Sequence, residues 1–259
     1  MTEDLRLIAG WCCSHQLLIN PSKTKLIFFG TRQLLSKVSD IRVPFLDQEL
    51  TPVSSVKDLS TTLDSYLMIS HVNTLTSSLL SMLCQISRVR HLFTKPVLST
   101  ILNSLIYSKL FYCSTVWAGT LKQNLHKLQL VQNFAARVLR DTKKFDHISP
   151  VLRKLGWPSI KDQLLVRDTT QVYKIVNGLA PLNLSSKLSK RSDTHHCNTR
   201  KRDNLNLPLW RTVTAQRSFY YRAVSAWDSL TTDTRNSPSL CTFKRRVKRE
   251  LRAQTPCVK

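Results

Sequence analysis

The densest run of charge is Lys244-Arg245-Arg246-Val247-Lys248-Arg249, five cations around one apolar side chain. Ammonium and guanidinium groups at this density neutralise phosphates or carboxylates. At helical spacing they face away from a stripe of Leu240, Phe243, Val247 and Leu251. The bland reading is a solvated face of a packed helix. The local charge favours phosphate contact, because residues 182–259 hold 17 basic and 5 acidic side chains, a net of +12. Further candidates for the same chemistry are Lys122, Lys127, Arg137, Arg140, Lys143 and Lys144, then Arg200, Lys201 and Arg202. Arg217 and Arg222 flank Phe219, Tyr220 and Tyr221, with Trp227 close behind. Cations interleaved with aromatics can stack on unpaired bases. Phe219 and Trp227 also read as core. Tyr220 and Tyr221 cannot both face inward on one helix, so one of them is the better stacking candidate.

Bond-making chemistry is harder to find. Metal-assisted phosphoryl transfer needs carboxylates that hold two Mg²⁺ about 4 Å apart. The chain has 16 acids, and their only adjacent pair is Glu3-Asp4, at a helix start. There is no Gly-rich phosphate loop with a following Lys and no Gly-x-Ser-x-Gly. His195, His196 and Cys197 invite zinc, but a structural site needs four converging ligands. The nearest other thiols, Cys241 and Cys257, have no paired spacing. Cys12-Cys13 with His15 reads as core packing on a helix. No metal ligand and no catalytic residue is assigned.

Composition narrows the classes. The 259 residues carry a net charge of +23, and the pI is near 10.2. Such an excess calls for an anionic partner, nucleic acid first and an anionic membrane surface second. Hydrophobic residues make up 42%, enough for a core. The acidic start, Met1-Thr2-Glu3-Asp4, is unlike a secretory leader. No apolar run reaches the roughly 18 residues of a membrane span. Seven Cys without paired spacing read as reduced, intracellular thiols.

The elements that must position these groups follow from periodicity. A helix is expected from Thr2 to the stop at Asn20-Pro21, with Leu5, Ile8 and Cys12 on one side. Short strands are expected at residues 25–29, 41–45, 49–53 and 56–63, with Pro44 and Pro52 limiting the middle pair to edges. From Ser70 the pattern is helical. Val72, Leu75, Leu79, Leu83 and Ile86 share one face. Pro96 opens a helix carrying Leu98, Ile101, Leu105, Leu110 and Tyr112. Leu121 opens another, with Leu125, Leu128, Val131, Phe134, Ala135 and Val138. Ser159 caps a fourth that Gly178 ends. Residues 181–208 read as a polar, basic loop. The last helix begins near Ser237-Pro238. The fold class is therefore α+β, mainly α-helical, with a small antiparallel β region near the N-terminus followed by a helical bundle.

The order of several segments resembles a known family. Trp11, then Leu18-Ile19-Asn20-Pro21-Ser22-Lys23-Thr24-Lys25 and Phe28-Phe29-Gly30, resemble the stretch after the catalytic aspartates of non-LTR (LINE-type) retrotransposon reverse transcriptases. Lys57-Asp58-Leu59 with Leu63-Asp64 resembles the next element, where Ser60 replaces a Gly that usually makes a tight turn. Leu130-Val131-Gln132-Asn133-Phe134-Ala135-Ala136-Arg137 and Asp146-His147-Ile148-Ser149-Pro150-Val151-Leu152 are similar to the thumb region of jockey-like elements. Tyr173-Lys174 with Asn177-Gly178-Leu179-Ala180-Pro181 continues the likeness. Arg217-Ser218-Phe219, Ala226-Trp227-Asp228-Ser229-Leu230 and Phe243-Lys244 are similar to the family's C-terminal end.

The resemblance implies the end of a palm at residues 1–69, a helical thumb-like domain at 70–181, and a basic linker and C-terminal nucleic-acid-binding region at 182–259. It implies an RNA-directed DNA polymerase whose metal-binding aspartates, fingers and any N-terminal endonuclease lie outside this sequence. The chain alone is then inactive and takes no cofactor; Mg²⁺ is expected only in an intact polymerase. Lys23 matches a lysine that lies near the incoming nucleotide or leaving pyrophosphate in related polymerases. The implied partners are RNA and DNA, held as template–primer through phosphates without sequence readout. The implied location is intracellular, the cytoplasm as a ribonucleoprotein, the nucleus, or both. The alternative is a helical protein-interaction or membrane-surface module whose basic tail docks on acidic partners. A non-functional relic is a third reading, and its exposed sheet edges would make it fold poorly.

Overall fold

The structure is a computed structural model that describes residues 2–38, 40–66, 69–194, 204–207 and 209–254. Arg200, Lys201 and Arg202 lie outside the described residues, as do His195, His196, Cys197 and Cys257. The fold is α+β and mainly helical, with two antiparallel two-stranded sheets near the N-terminus. The chain divides into two compact units, Met1–Thr74 and Leu75–Lys259.

The first unit opens with α1 (Thr2–Ser14). The helix stops well before Asn20-Pro21: Gln16 takes a positive φ of 57°, and the Leu17 N–H returns to the Cys12 carbonyl at 2.8 Å. Leu5 and Ala9 face the small buried cluster of Val43, Phe45 and Leu50, whereas Ile8 is exposed. Asn20 caps a single 3₁₀ turn, Pro21–Lys23, its side-chain oxygen accepting from the Ser22 N–H at 3.0 Å. The strand expected at residues 25–29 is reduced to one parallel bridge, Leu26 to Pro52. The Val53 N–H reaches the Leu26 carbonyl at 2.8 Å, and from Ser55 onward the chain pairs with residues 61–64 instead. A one-turn helix follows, α2 (Arg32–Leu35).

β1 (Val43–Phe45) pairs with β2 (Gln48–Leu50), Val43 opposite Leu50 and Phe45 opposite Gln48. The single strand expected at 56–63 is a hairpin instead, β3 (Ser55–Asp58) with β4 (Thr61–Asp64). Its turn residues, Leu59 and Ser60, both have positive φ, 41° and 66°. Two-residue hairpin turns of the I′ type need that sign at both positions, because it matches the strand twist. The turn therefore forms although glycine occupies neither place. The Asp64 carboxylate then accepts from the Ser70 N–H at 2.9 Å, the Ser70 hydroxyl at 2.8 Å and the Tyr66 N–H at 3.1 Å. That cap sits one residue into α3 (Ile69–Val89), within which the division between the units falls.

In the second unit, α4 (Lys95–Leu102) has Pro96 in its first turn and runs through a π turn at Asn103–Tyr107 into α5 (Ser108–Leu110). The π turn adds a residue and shifts the expected stripe. Leu98, Leu102, Ile106 and Leu110 are buried, while Leu105 and Tyr112 face outward. Cys113, at φ 47°, leads into α6 (Ser114–Trp117). α7 (Lys122–Arg140) buries Leu128, Val131, Ala135, Ala136 and Val138 as its periodicity requires. A short helix the periodicity did not reveal, α8 (Ser149–Leu155), has Pro150 in its first turn and is capped by Gly156, at φ 66°. α9 (Ile160–Val176) is capped by Ser159, whose hydroxyl oxygen accepts from the Asp162 N–H at 3.1 Å.

Two more one-turn helices, α10 (Leu182–Ser185) and α11 (Arg191–Thr194), interrupt the expected loop. After α12 (Val213–Gln216) come α13 (Phe219–Asp228), α14 (Thr232–Arg235) and α15 (Leu240–Gln254). No boundary between compact units falls at 181/182, because α13 and α15 pack directly on α9. Together these helices bury Val166, Val172, Tyr173, Ala223, Val224, Trp227, Phe243 and Val247. Phe243 stacks on Tyr173 at 4.5 Å and on Trp227 at 5.6 Å, and the Tyr173 hydroxyl donates to the Ser237 carbonyl at 2.7 Å.

Candidate nucleic-acid interface

The apolar stripe of α15 sets the direction of its cations. Phe243 and Val247 are fully buried, so residues on the other arcs of the helix reach the surface. Lys244, Lys248 and Arg252 repeat every four residues and therefore share one arc. They line a cleft of about 480 Å³ together with Arg167 and Lys174 of α9. The rest of the lining includes the hydroxyl residues Ser114, Thr115 and Thr170 and the amides Gln163 and Gln171, and it contains no carboxylate. Among the described residues none of these five cations forms an ion pair. Like charges held close without a counter-charge raise the local positive potential and draw an anion.

Arg167 is the most constrained of the five, its guanidinium carbon lying 4.3 Å from the centre of the Phe111 ring. Phe111 is itself buried. Partial burial lowers the Arg167 pKa from its ordinary value, and the guanidinium stays charged at neutral pH all the same. The contact holds the guanidinium plane in place, so less side-chain freedom is lost when it binds.

The other candidates are placed differently. Arg222 is structural. Its guanidinium grips the Asp168 carboxylate at 2.7 and 3.2 Å and donates to the Arg217 carbonyl at 2.7 Å and the Thr115 carbonyl at 2.9 Å. Asp168 is nearly fully buried. Desolvation raises its pKa from the ordinary carboxylate value, and the hydrogen bonds and charge of Arg222 oppose the rise. With all three guanidinium nitrogens engaged, Arg222 has little left for a phosphate, which corrects the expectation from sequence. Arg217 is exposed. Arg137 donates to the Lys143 carbonyl at 3.3 Å and the Asp146 carbonyl at 3.1 Å, bracing the loop after α7. Arg246 donates to the Asp233 carbonyl and to the Ser237 hydroxyl, tying α15 to the α14 region. Lys122, Lys127, Arg140, Lys143, Lys144, Arg245 and Arg249 are exposed outside the cleft. Lys23 ends the 3₁₀ turn of the first unit and is exposed.

The aromatic cluster beside Arg222 is core in the main. Trp227 is buried, Phe219 packs against the same cluster, and Tyr220 and Tyr221 are both half-buried. Neither tyrosine is the open stacking platform that sequence suggested. Sequence reasoning missed Arg167, Lys174 and Arg252. A signal existed: Gln163, Arg167, Gln171 and Lys174 form a polar arc on α9 at spacings of three and four. What the arc faces is settled only by packing.

Among the described residues no group of three or more His, Cys, Asp or Glu side chains could hold a metal ion, and no helix is long and apolar enough to cross a membrane. No protein-family model matches the chain, nor does any curated protein or solved structure.

Proposed function

We propose that this chain is the C-terminal part of a non-LTR retrotransposon reverse transcriptase and binds template–primer nucleic acid through its phosphates. The observation that supports this reading most is the convergence of Arg167, Lys174, Lys244, Lys248 and Arg252 on one cleft without a carboxylate. Phosphate contacts position a nucleic acid without reading its sequence, which suits a polymerase thumb. The activity proposed for the isolated chain is binding, and synthesis is left to a protein that also carries the metal-binding aspartates. On this reading the protein is intracellular, in the cytoplasm as a ribonucleoprotein, in the nucleus, or in both.

The test is fluorescence anisotropy with an RNA–DNA hybrid and a DNA duplex over a series of salt concentrations. The expected result is an affinity that falls linearly on a log–log plot, by about 0.9 per phosphate engaged on duplex DNA. Absence of binding at low salt overturns the reading and leaves the protein-interaction or membrane-surface module. A primer-extension assay completes the test, since template-dependent, Mg²⁺-dependent synthesis by the purified chain overturns its inactivity.

A further inference from the structure

Two rows of polar side chains face each other across the cleft. Lys244, Lys248 and Arg252 run along α15 and span about 12 Å of its axis at 1.5 Å per residue. On α9 the facing row is Gln163, Arg167, Gln171 and Lys174, and α9 packs directly on α15. A cleft of about 480 Å³ cannot enclose a duplex. It admits one sugar–phosphate strand lying along the helices, with amide and hydroxyl donors between the cations.

Arg167 adds a second feature. Its guanidinium carbon lies over the Phe111 ring. A guanidinium fixed in this way can stack an unpaired base.

From these observations we propose that the α9–α15 cleft is a binding site for single-stranded nucleic acid, with Lys174, Lys244, Lys248 and Arg252 on successive phosphates and Arg167 against a base. This rests on the phosphate-binding reading above and narrows it: the cleft takes an unpaired strand, such as a template overhang, and any duplex binds elsewhere on the basic surface.

The experiment compares a 12-nucleotide single-stranded RNA, its DNA counterpart and the corresponding duplex by anisotropy at several salt concentrations. Three forms of the full chain are used: wild type, Lys244→Gln/Lys248→Gln/Arg252→Gln, and Arg88→Gln/Lys95→Gln/Lys109→Gln. All six substituted residues are exposed, and the second triple removes the same charge outside the cleft. Circular dichroism melting confirms that each variant is folded. The cleft variant is expected to lose about 2 from the single-strand salt slope, at about 0.7 per phosphate, and about a hundredfold in affinity at 0.1 M salt. Duplex binding should change much less. Lys174→Gln alone, from the opposite wall, should reduce the slope by about 0.7. Equal losses in the two triple variants, or a cleft variant that binds the single strand as wild type does, overturn the proposal while nucleic-acid binding stands. Wild-type protein that binds none of the three probes overturns the underlying reading as well.

Discussion

The two compact units hold themselves together in different ways. In Leu75–Lys259, long helices bury a continuous set of side chains, and Phe243 alone stacks on both Tyr173 and Trp227. In Met1–Thr74, the β1–β2 cluster buries only Val43, Phe45 and Leu50, while Leu7, Ile8, Trp11, Leu17, Leu18 and Phe29 remain exposed. Two-stranded hairpins of three or four residues bury too little apolar surface to be stable alone. Local hydrogen bonds stand in for a core there: Asn20 on Ser22, Asp64 on Ser70, and the His71 ring on the Thr62 N–H. The difference bears on function. The cleft cations Arg167, Lys174, Lys244, Lys248 and Arg252 repel one another, so packed helices are needed to hold them on one cleft. All five stand on the helices of the denser unit.

The largest effect is expected in the denser unit, at the Asp168–Arg222 pair. Arg222→Leu leaves a buried carboxylate without its partner, and we expect a loss of about 3–5 kcal/mol in urea denaturation. The double variant Asp168→Leu/Arg222→Leu should recover most of that loss. A variant that kept its stability but lost salt-dependent nucleic-acid binding would return Arg222 to the phosphate contacts.

Gly119 tests the same packing from the backbone side. A Cβ there would lie 2.1 Å from the Arg217 carbonyl oxygen and 2.7 Å from the Arg222 guanidinium. Gly119→Ala must push the α12–α13 turn away, at a cost of about 1–3 kcal/mol. An unchanged thermal midpoint would mean that this close approach is not needed.

In the first unit the effect should have the opposite sign. Leu59→Asn/Ser60→Gly puts residues that accept positive φ into the β3–β4 turn, and a gain of about 1 kcal/mol is expected. Slower amide exchange across β3 and β4 would report it. Exchange as fast as in wild type would show that the turn does not limit the stability of this unit.

The smallest effect is set by pH. Burial lowers the His71 pKa from its ordinary 6.5, and the ring nitrogen that accepts from Thr62 must be unprotonated. The unfolded chain therefore binds this proton more readily than the folded one. The contribution of His71 is complete above pH 6.5 and is lost as pH falls through the lowered folded value. The protection of the Thr62 amide, its exchange rate relative to that of an unfolded amide at each pH from 8 to 5, should fall in that window. His71→Gln should flatten the dependence.

Much of the helical plan is legible in the order of the residues. The faces of α7 and α15, the Ser159 cap and the Gly178 stop follow from a 3.6-residue period and from side chains that bond their own backbone. The α4 stripe departs from its expected residues because a π turn leaves no mark in composition. The strand expected at 25–29 stops at one bridge because the chain beyond it, from Ser55, pairs with β4 instead. α8 escapes notice because one or two turns give too little periodicity to read. For the candidate site, two of the five cleft cations, Lys244 and Lys248, are visible in the sequence, and Arg167, Lys174 and Arg252 are not.

The amino-acid sequence by itself determined the net charge of +23, the Ser159 cap, and the arcs that α7 and α15 bury. These depend on neighbours within a few residues along the chain, where spacing alone sets contact. Only the tertiary structure decided which cations lost their freedom and which kept it. Arg222 and Lys248 are equally basic in sequence, but one lies against a buried carboxylate 54 residues away and the other against a cleft without one. The free energy of a charge depends on what surrounds it in space, and helices distant in sequence supply those surroundings.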